Sequence, residues 1–130
     1  MEKLMREVKA QLESWPAWLE AKTVVLAVSG GVDSMVMLRL MNELNQLRQY
    51  NHLQLVVAHF NHKLRPESDY EAVAIKEIVA EYGCIYFATE WGEPAATNVE
   101  AQARDARYQF FAEVIRTTEA DVLMTAHHLN

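Results

Sequence analysis

The residues best suited to chemistry sit together at Ser29-Gly30-Gly31-Val32-Asp33-Ser34, where a short apolar run gives way to an amphipathic one. Adjacent glycines let the backbone turn tightly and present its N–H groups, and the start of a following helix adds partial positive charge. Both features suit a phosphate. The expected site is Ser29 to Ser34, with the hydroxyls of Ser29 and Ser34 donating to phosphate oxygens. Asp33 is the discriminating residue: a carboxylate beside a polyphosphate repels it unless a cation lies between, so Asp33 is expected to ligate Mg²⁺. A plainer reading, a glycine turn followed by an Asp or Ser helix cap, accounts for Asp33 and Ser34 as well. The hexapeptide is neither a Walker A loop, since no Lys precedes Ser or Thr at that spacing, nor the G-x-G-x-x-G of dinucleotide binders.

Further polar residues cluster after later apolar runs. His59 and His62 either hydrogen-bond to nearby backbone or, in the case of His59 or its backbone, face a nucleotide, and Arg65 ends the same polar loop. Arg104 and Arg107 are three apart on one helix and can reach one anion; the alternative is a surface pair between Arg104 and Glu100, four residues earlier. Asn98 is expected to support a capping turn. His127 and His128 follow the last apolar run, where one of them could orient a phosphate or assist proton transfer. Cys84 has no partner for a disulfide or a zinc pair, and its neighbours Ile85, Tyr86 and Phe87 suit a buried small residue.

The elements that must position these residues follow from periodicity. Glu2 to Ser14 has helical spacing and should end near Pro16; Asp33 to Arg48 carries a wide apolar stripe including Leu40, Leu44 and Leu47. A third helix is expected to start at Pro66 and end at Gly83, and a fourth to start from a Thr97 to Glu100 capping box and run to about Thr118, burying Val99, Ala103, Ala106, Phe110 and Val114. Between them, Thr23 to Ser29, Leu53 to His59, Ile85 to Ala88 and Asp121 to Ala126 read as strands. Strands alternating with long helices predict an α/β fold, a parallel sheet flanked by helices on both faces. Ligands bind such sheets beyond the carboxyl ends of the strands, where the loops start at Ser29, His59, Thr89 and Ala126.

The glycine loop resembles the SGGxDS pyrophosphate loop of PP-loop enzymes. Three more segments look like the lysidine synthase branch of that family: His59 to Ser68 is similar to its H-x-N-H-x-L-R-x-E-S stretch, Asn98 to Tyr108 to its N-x-E-x-x-A-R-x-x-R-Y helix, and Thr125 to Asn130 to the start of its A-H-H motif. The resemblance implies a Rossmann-like fold of the adenine nucleotide alpha hydrolase type over residues 1–130, with ATP and Mg²⁺ bound. It implies Asp33, Arg104, Arg107 and His127 as catalytic residues, and Ala27, Ser29 to Ser34, His59 and Arg65 as nucleotide contacts. The implied reaction joins free lysine to the wobble cytidine of tRNA(Ile) through an adenylated intermediate. The chain stops at Asn130, inside the last motif, so it is read as an N-terminal ATP-binding domain without the regions that would hold tRNA.

Composition bounds the rest. A chain of 130 residues with 51% hydrophobic content suits one domain. The formal charge of −6 suits nucleic acid poorly, because Lys and Arg supply most of that affinity. No apolar run approaches the roughly 20 residues of a membrane span, and Met1 to Glu7 lacks the order of a signal peptide, which together predict a cytoplasmic setting. The competing functions are another PP-loop enzyme, a tRNA thiolase or an amidotransferase type, and a non-catalytic nucleotide-binding module. Thiolation by sulfur relay usually needs more than the single cysteine present.

Overall fold

The computed structural model describes residues 2–92 and 96–126. Four strands, β1 (Thr23–Ala27), β2 (Gln54–Asn61), β3 (Ile85–Glu90) and β4 (Val122–Thr125), form one sheet in the order β3-β2-β1-β4. All three pairings are parallel. The helices are α1 (Glu2–Glu13), α2 (Pro16–Leu19), α3 (Val32–Asn45), α4 (Ser68–Tyr82) and α5 (Val99–Thr118).

Successive side chains of a strand point to opposite faces, and this parity divides the core in two. Val24, Leu26 and Val28 with Leu55 and Val57 pack with the buried residues of α1 to α4, among them Leu38, Met41 and Ile75. Val25 and Ala27 with Val56 and Ala58 turn the other way and meet Phe111 and Val114 of α5. The expected architecture, helices on both faces of a parallel sheet, is therefore the one observed.

Local departures have physical reasons. Pro16 does more than end a helix: it occupies the first turn of α2, where its missing N–H costs nothing. The second amphipathic stretch stops being helical at Asn45, whose side-chain amide donates to the carbonyls of Tyr50 and Leu53 and ties down the connection to β2. Leu47 is consequently exposed and leaves the predicted stripe. Pro66 sits in a turn closed by Ser68 N–H donating to the Arg65 carbonyl, so α4 starts two residues later than expected. Gly83 does cap α4 in the left-handed region, at φ 74°, with its N–H on the Val79 carbonyl. The predicted capping box does not form. Asn98, itself left-handed, is the cap of α5 and makes no side-chain cap bond, while Gln102 Nε2 donates to the Thr97 carbonyl. Along α5 only Phe111 and Val114 are fully buried; Val99, Ala103, Ala106 and Phe110 are half-exposed. Cys84 lies half-buried at the core edge, and burial pushes its thiol pKa up, as suits a packing residue.

A cavity between the glycine loop and the fifth helix

β1 delivers the chain to the carboxyl edge of the sheet, and the loop after it is shaped by one hydroxyl. Ser34 Oγ accepts from the Gly30 N–H at 3.1 Å and the Ser29 N–H at 3.2 Å, and donates to the Gly31 carbonyl at 3.0 Å. Ser29 Oγ in turn accepts from the Gly31 N–H at 3.3 Å. The Ser34 side chain is buried, so its hydroxyl organises the loop and does not stand ready as the phosphate donor expected from sequence. Gly30 adopts φ +97°, and a Cβ there would lie 2.4 Å from Glu71 Oε2 and 2.9 Å from Glu71 Cβ. Glycine is required both for the conformation and for the close approach of α4.

With the N–H groups of Ser29, Gly30 and Gly31 engaged on hydroxyls, the open donors are those of the first turn of α3. Gly31 is the N-cap, so Val32, Asp33 and Ser34 carry the N–H groups that a helix leaves unpaired, together with the positive end of its dipole. They border a cavity of about 430 Å³ whose wall includes Ala27, Ser29, Gly31, Val32, Asp33 and Ser34. The opposite wall is Phe60, Arg107, Tyr108 and Phe111, with His62, Thr125 and Ala126 completing the rim. The cavity thus has a donor-rich end and an aromatic end, a polarity that suits a phosphorylated planar base.

The sequence-predicted residues divide sharply. Asp33 and Arg107 both line this cavity, together with Ala27, Ser29, Gly31, Val32 and Ser34. Arg104 is exposed and does not line it, although it shares α5 with Arg107. Among the described residues no ion pair joins Arg104 to Glu100. Arg65 is also elsewhere, donating to Glu71 Oε1 at 2.9 Å. His59 points away: β2 parity places it on the α4 side, where its Nδ1 lies 2.7 Å from the Val28 carbonyl. Gly30 is turned toward Glu71 and is not in the lining. His127 and His128 lie outside the described residues.

What sequence reasoning missed is the aromatic wall. Phe60 shares the parity of Val56 and Ala58, which face α5, and Phe111 and Arg107 are one turn apart on α5. Parity along β2, starting from the apolar Val56, was the signal that favoured Phe60 over His59. Arg107 also lies over the Tyr108 ring, 5.4 Å from its centroid, a contact that holds the guanidinium near the rim. His62 is pushed below the ordinary histidine range, first by partial burial and then by the Arg65 charge, so it is neutral at pH 7.

Asp33 is an exposed carboxylate at the cavity. Among the described residues no cluster of three or more His, Cys, Asp or Glu could hold a metal by itself. Asp33 fits Mg²⁺ as one protein carboxylate, with the remaining positions open to phosphate oxygens and water, the usual manner of Mg²⁺ at nucleotides. No helix among the described residues is long and apolar enough to cross a membrane.

Comparison with known proteins bears on the family and the fold. A family model described as PP-loop domain matches residues 1–130. The chain is 47% identical over 114 residues to tRNA(Ile)-lysidine synthase of Enterococcus faecalis, covering 87% of this chain and 24% of that protein. It is 41% identical over 112 residues to tRNA(Ile)-lysidine synthase of Lactiplantibacillus plantarum, covering 84% and 24%. The chain thus spans about a quarter of the length of these relatives. Among solved structures, the U34-tRNA thiolase NcsA from Methanococcus maripaludis with its 4Fe–4S cluster superposes with a TM-score of 0.77 at 21% identity, covering 98% of this chain and 46% of that one. At that identity the likeness speaks for the fold.

Proposed function

The chain belongs to the PP-loop domain family, and on that premise we propose that its cavity binds ATP and serves an ATP-dependent lysidine synthesis by the whole protein. The observation that carries this reading is the pairing of the unengaged N–H groups of Val32, Asp33 and Ser34 with Arg107 across one cavity. The triphosphate lies at the start of α3 and the base lies toward Phe60, Tyr108 and Phe111. Relatives named tRNA(Ile)-lysidine synthase support the choice of reaction.

In that reaction the C2 oxygen of the wobble cytidine of tRNA(Ile) attacks the α phosphorus of ATP, and the bond to the β phosphate's bridging oxygen breaks to release pyrophosphate. The amine of free lysine then attacks C2, AMP leaves with the former C2 oxygen, and the amine proton passes to solvent or a base. Charge accumulates on pyrophosphate as the first bond breaks. The α3 N–H groups and the Arg107 guanidinium are positioned to take up that charge, the kind of preorganised stabilisation that gives enzymes much of their rate. Mg²⁺ held by Asp33 would supply further charge neutralisation when bound. Arg104 and Arg65, outside the cavity lining, and His127 are assigned to this reaction by the family motifs they match rather than by a place in the cavity. A protein of this activity works in the cytoplasm, with tRNA gripped mainly by regions outside this acidic chain.

The test is mass analysis of nucleosides from unmodified tRNA(Ile) incubated with the whole protein, Mg-ATP and lysine, beside an Asp33→Ala control. A cytidine heavier by lysine minus water, lost in the control, is the expected result. ATP binding without that adduct would sink the lysidine assignment and direct the search to other PP-loop chemistry, such as thiolation or amide transfer. Binding with no pyrophosphate release under any substrate would leave a nucleotide-sensing module.

A further inference from the structure

Behind the glycine loop, on the α4 side of β2, lies a second and much smaller cavity. His59, Asn61, Ser68 and Glu71 line it together with Ser29, Phe60 and His62, the last three of which also line the larger cavity. Two of its buried polar atoms, His59 Nε2 and Ser68 Oγ, have no hydrogen-bond partner among the described residues. His59 is 3% exposed and Ser68 5%, so neither atom is satisfied by bulk solvent. Buried polar atoms without partners are rare and costly, and each calls for an explanation.

The protonation of His59 follows from its other nitrogen. A carbonyl oxygen can only accept, so the 2.7 Å contact to Val28 requires the proton on Nδ1. Burial also pushes the ring below its ordinary pKa, which keeps it neutral. Nε2 is then a bare lone pair that needs a donor. Asn61 cannot provide one, because its Nδ2 donates to Asp69 Oδ1 at 3.0 Å while its Oδ1 accepts from the Lys63 N–H. Glu71 can only accept as a carboxylate, and its Oε1 already takes an Arg65 N–H at 2.9 Å. The cavity is about 10 Å³, room for about one water molecule.

We infer that this cavity is the site of one ordered water, and that His59 and Ser68 act through it as positioning residues for the glycine loop. A water can donate to His59 Nε2 and to the second Glu71 oxygen while accepting from the Ser68 hydroxyl, so that both partnerless atoms are satisfied. It would join β2 to the first turn of α4, the turn whose Glu71 sets the approach to Gly30. His59 thereby affects the nucleotide without touching it. The consequence for affinity rests on the nucleotide-binding reading above; the water itself does not.

Two measurements on the whole protein test this. A crystal structure resolving ordered solvent should show one water within hydrogen-bond distance of both His59 Nε2 and Ser68 Oγ. A dry cavity, or Ser68 donating directly to His59, would overturn the inference. Mg-ATP affinity then separates the two edges of the ring. His59→Gln keeps a polar atom near the Nε2 position and should bind within about threefold of wild type, while His59→Asn keeps one near Nδ1 and should lose about tenfold, with Ser68→Ala losing about fivefold. The reverse order, with Asn better than Gln, would mean that the Val28 bond alone matters and would also overturn it. A wild-type protein that binds no Mg-ATP defeats the nucleotide reading and the positioning role with it, whereas the solvent structure still decides whether the water is there.

Discussion

On the face carrying α1 to α4, Leu26 and Val57 meet Leu38, Met41 and Ile75 in a closed core. On the opposite face Val25, Ala27, Val56 and Ala58 meet only Phe111 and Val114 as fully buried partners before the surface opens into the cavity. The same strands serve both faces, one residue out of phase. The larger apolar core lies on one parity and the open cavity on the other, so a small sheet carries an opening without losing its core.

That contrast can be broken from the chemical side first. Arg107→Ala should lower pyrophosphate release by the whole protein about a hundredfold or more, as loss of one charge-stabilising group does, with the thermal midpoint nearly unchanged. A midpoint that falls along with activity would show that α5 is part of the structural half after all. From the other side, Leu26→Ala should cost roughly 2–5 kcal/mol in urea unfolding through loss of apolar contact and the cavity left behind. Nucleotide affinity measured well below the midpoint should barely change.

Gly30 lies on the seam between the halves and sharpens the comparison. Gly30→Ala forces a side chain into φ +97° and against the Glu71 side chain, costing on the order of 1–3 kcal/mol of strain. Because the loop gives way more easily than the sheet, calorimetric titration should place most of that loss in Mg-ATP binding. The smallest effect concerns pH. Burial lowers the folded-state pKa of His59 below its unfolded value of 6.5, so between those two values the unfolded chain binds a proton that the native chain does not. Stability should therefore be level above about pH 6.5 and decline as pH falls beneath it. Urea midpoints at pH 7.5 and 5.5 should converge in His59→Gln relative to wild type; an unchanged slope would assign the decline to other groups such as His62.

Much of this was legible in the sequence. Strand identity, helix order and the parallel sheet follow from short β-branched runs alternating with long amphipathic ones, and the glycine loop marks the sheet edge at which the cavity opens. Boundaries were less so. Asn45 ended α3 through bonds to Tyr50 and Leu53, which no periodicity could reveal. Thr97 and Glu100 had the pattern of a capping box, yet left-handed Asn98 took the cap. The histidine at 59 attracted attention because of its chemistry, although its parity with Leu55 and Val57 already assigned it to the face away from the larger cavity. Arg104 and Arg107 looked equivalent on a helical wheel, and only the packing of Phe111 against the sheet decided which of them the cavity would hold.

The internal bonding of the loop through Ser34 Oγ has a kinetic meaning. Its turns are fixed by four hydrogen bonds to hydroxyls and one carbonyl before any ligand arrives, so there is little left to order on encounter. Nucleotide should associate in a single exponential phase whose rate rises linearly with concentration, without the plateau that marks a slow rearrangement. Ser34→Ala, by loosening the loop, should introduce that plateau in stopped-flow traces. Seen this way, the serine acts as a clock setting: it moves the ordering step from the moment of binding back to the moment of folding.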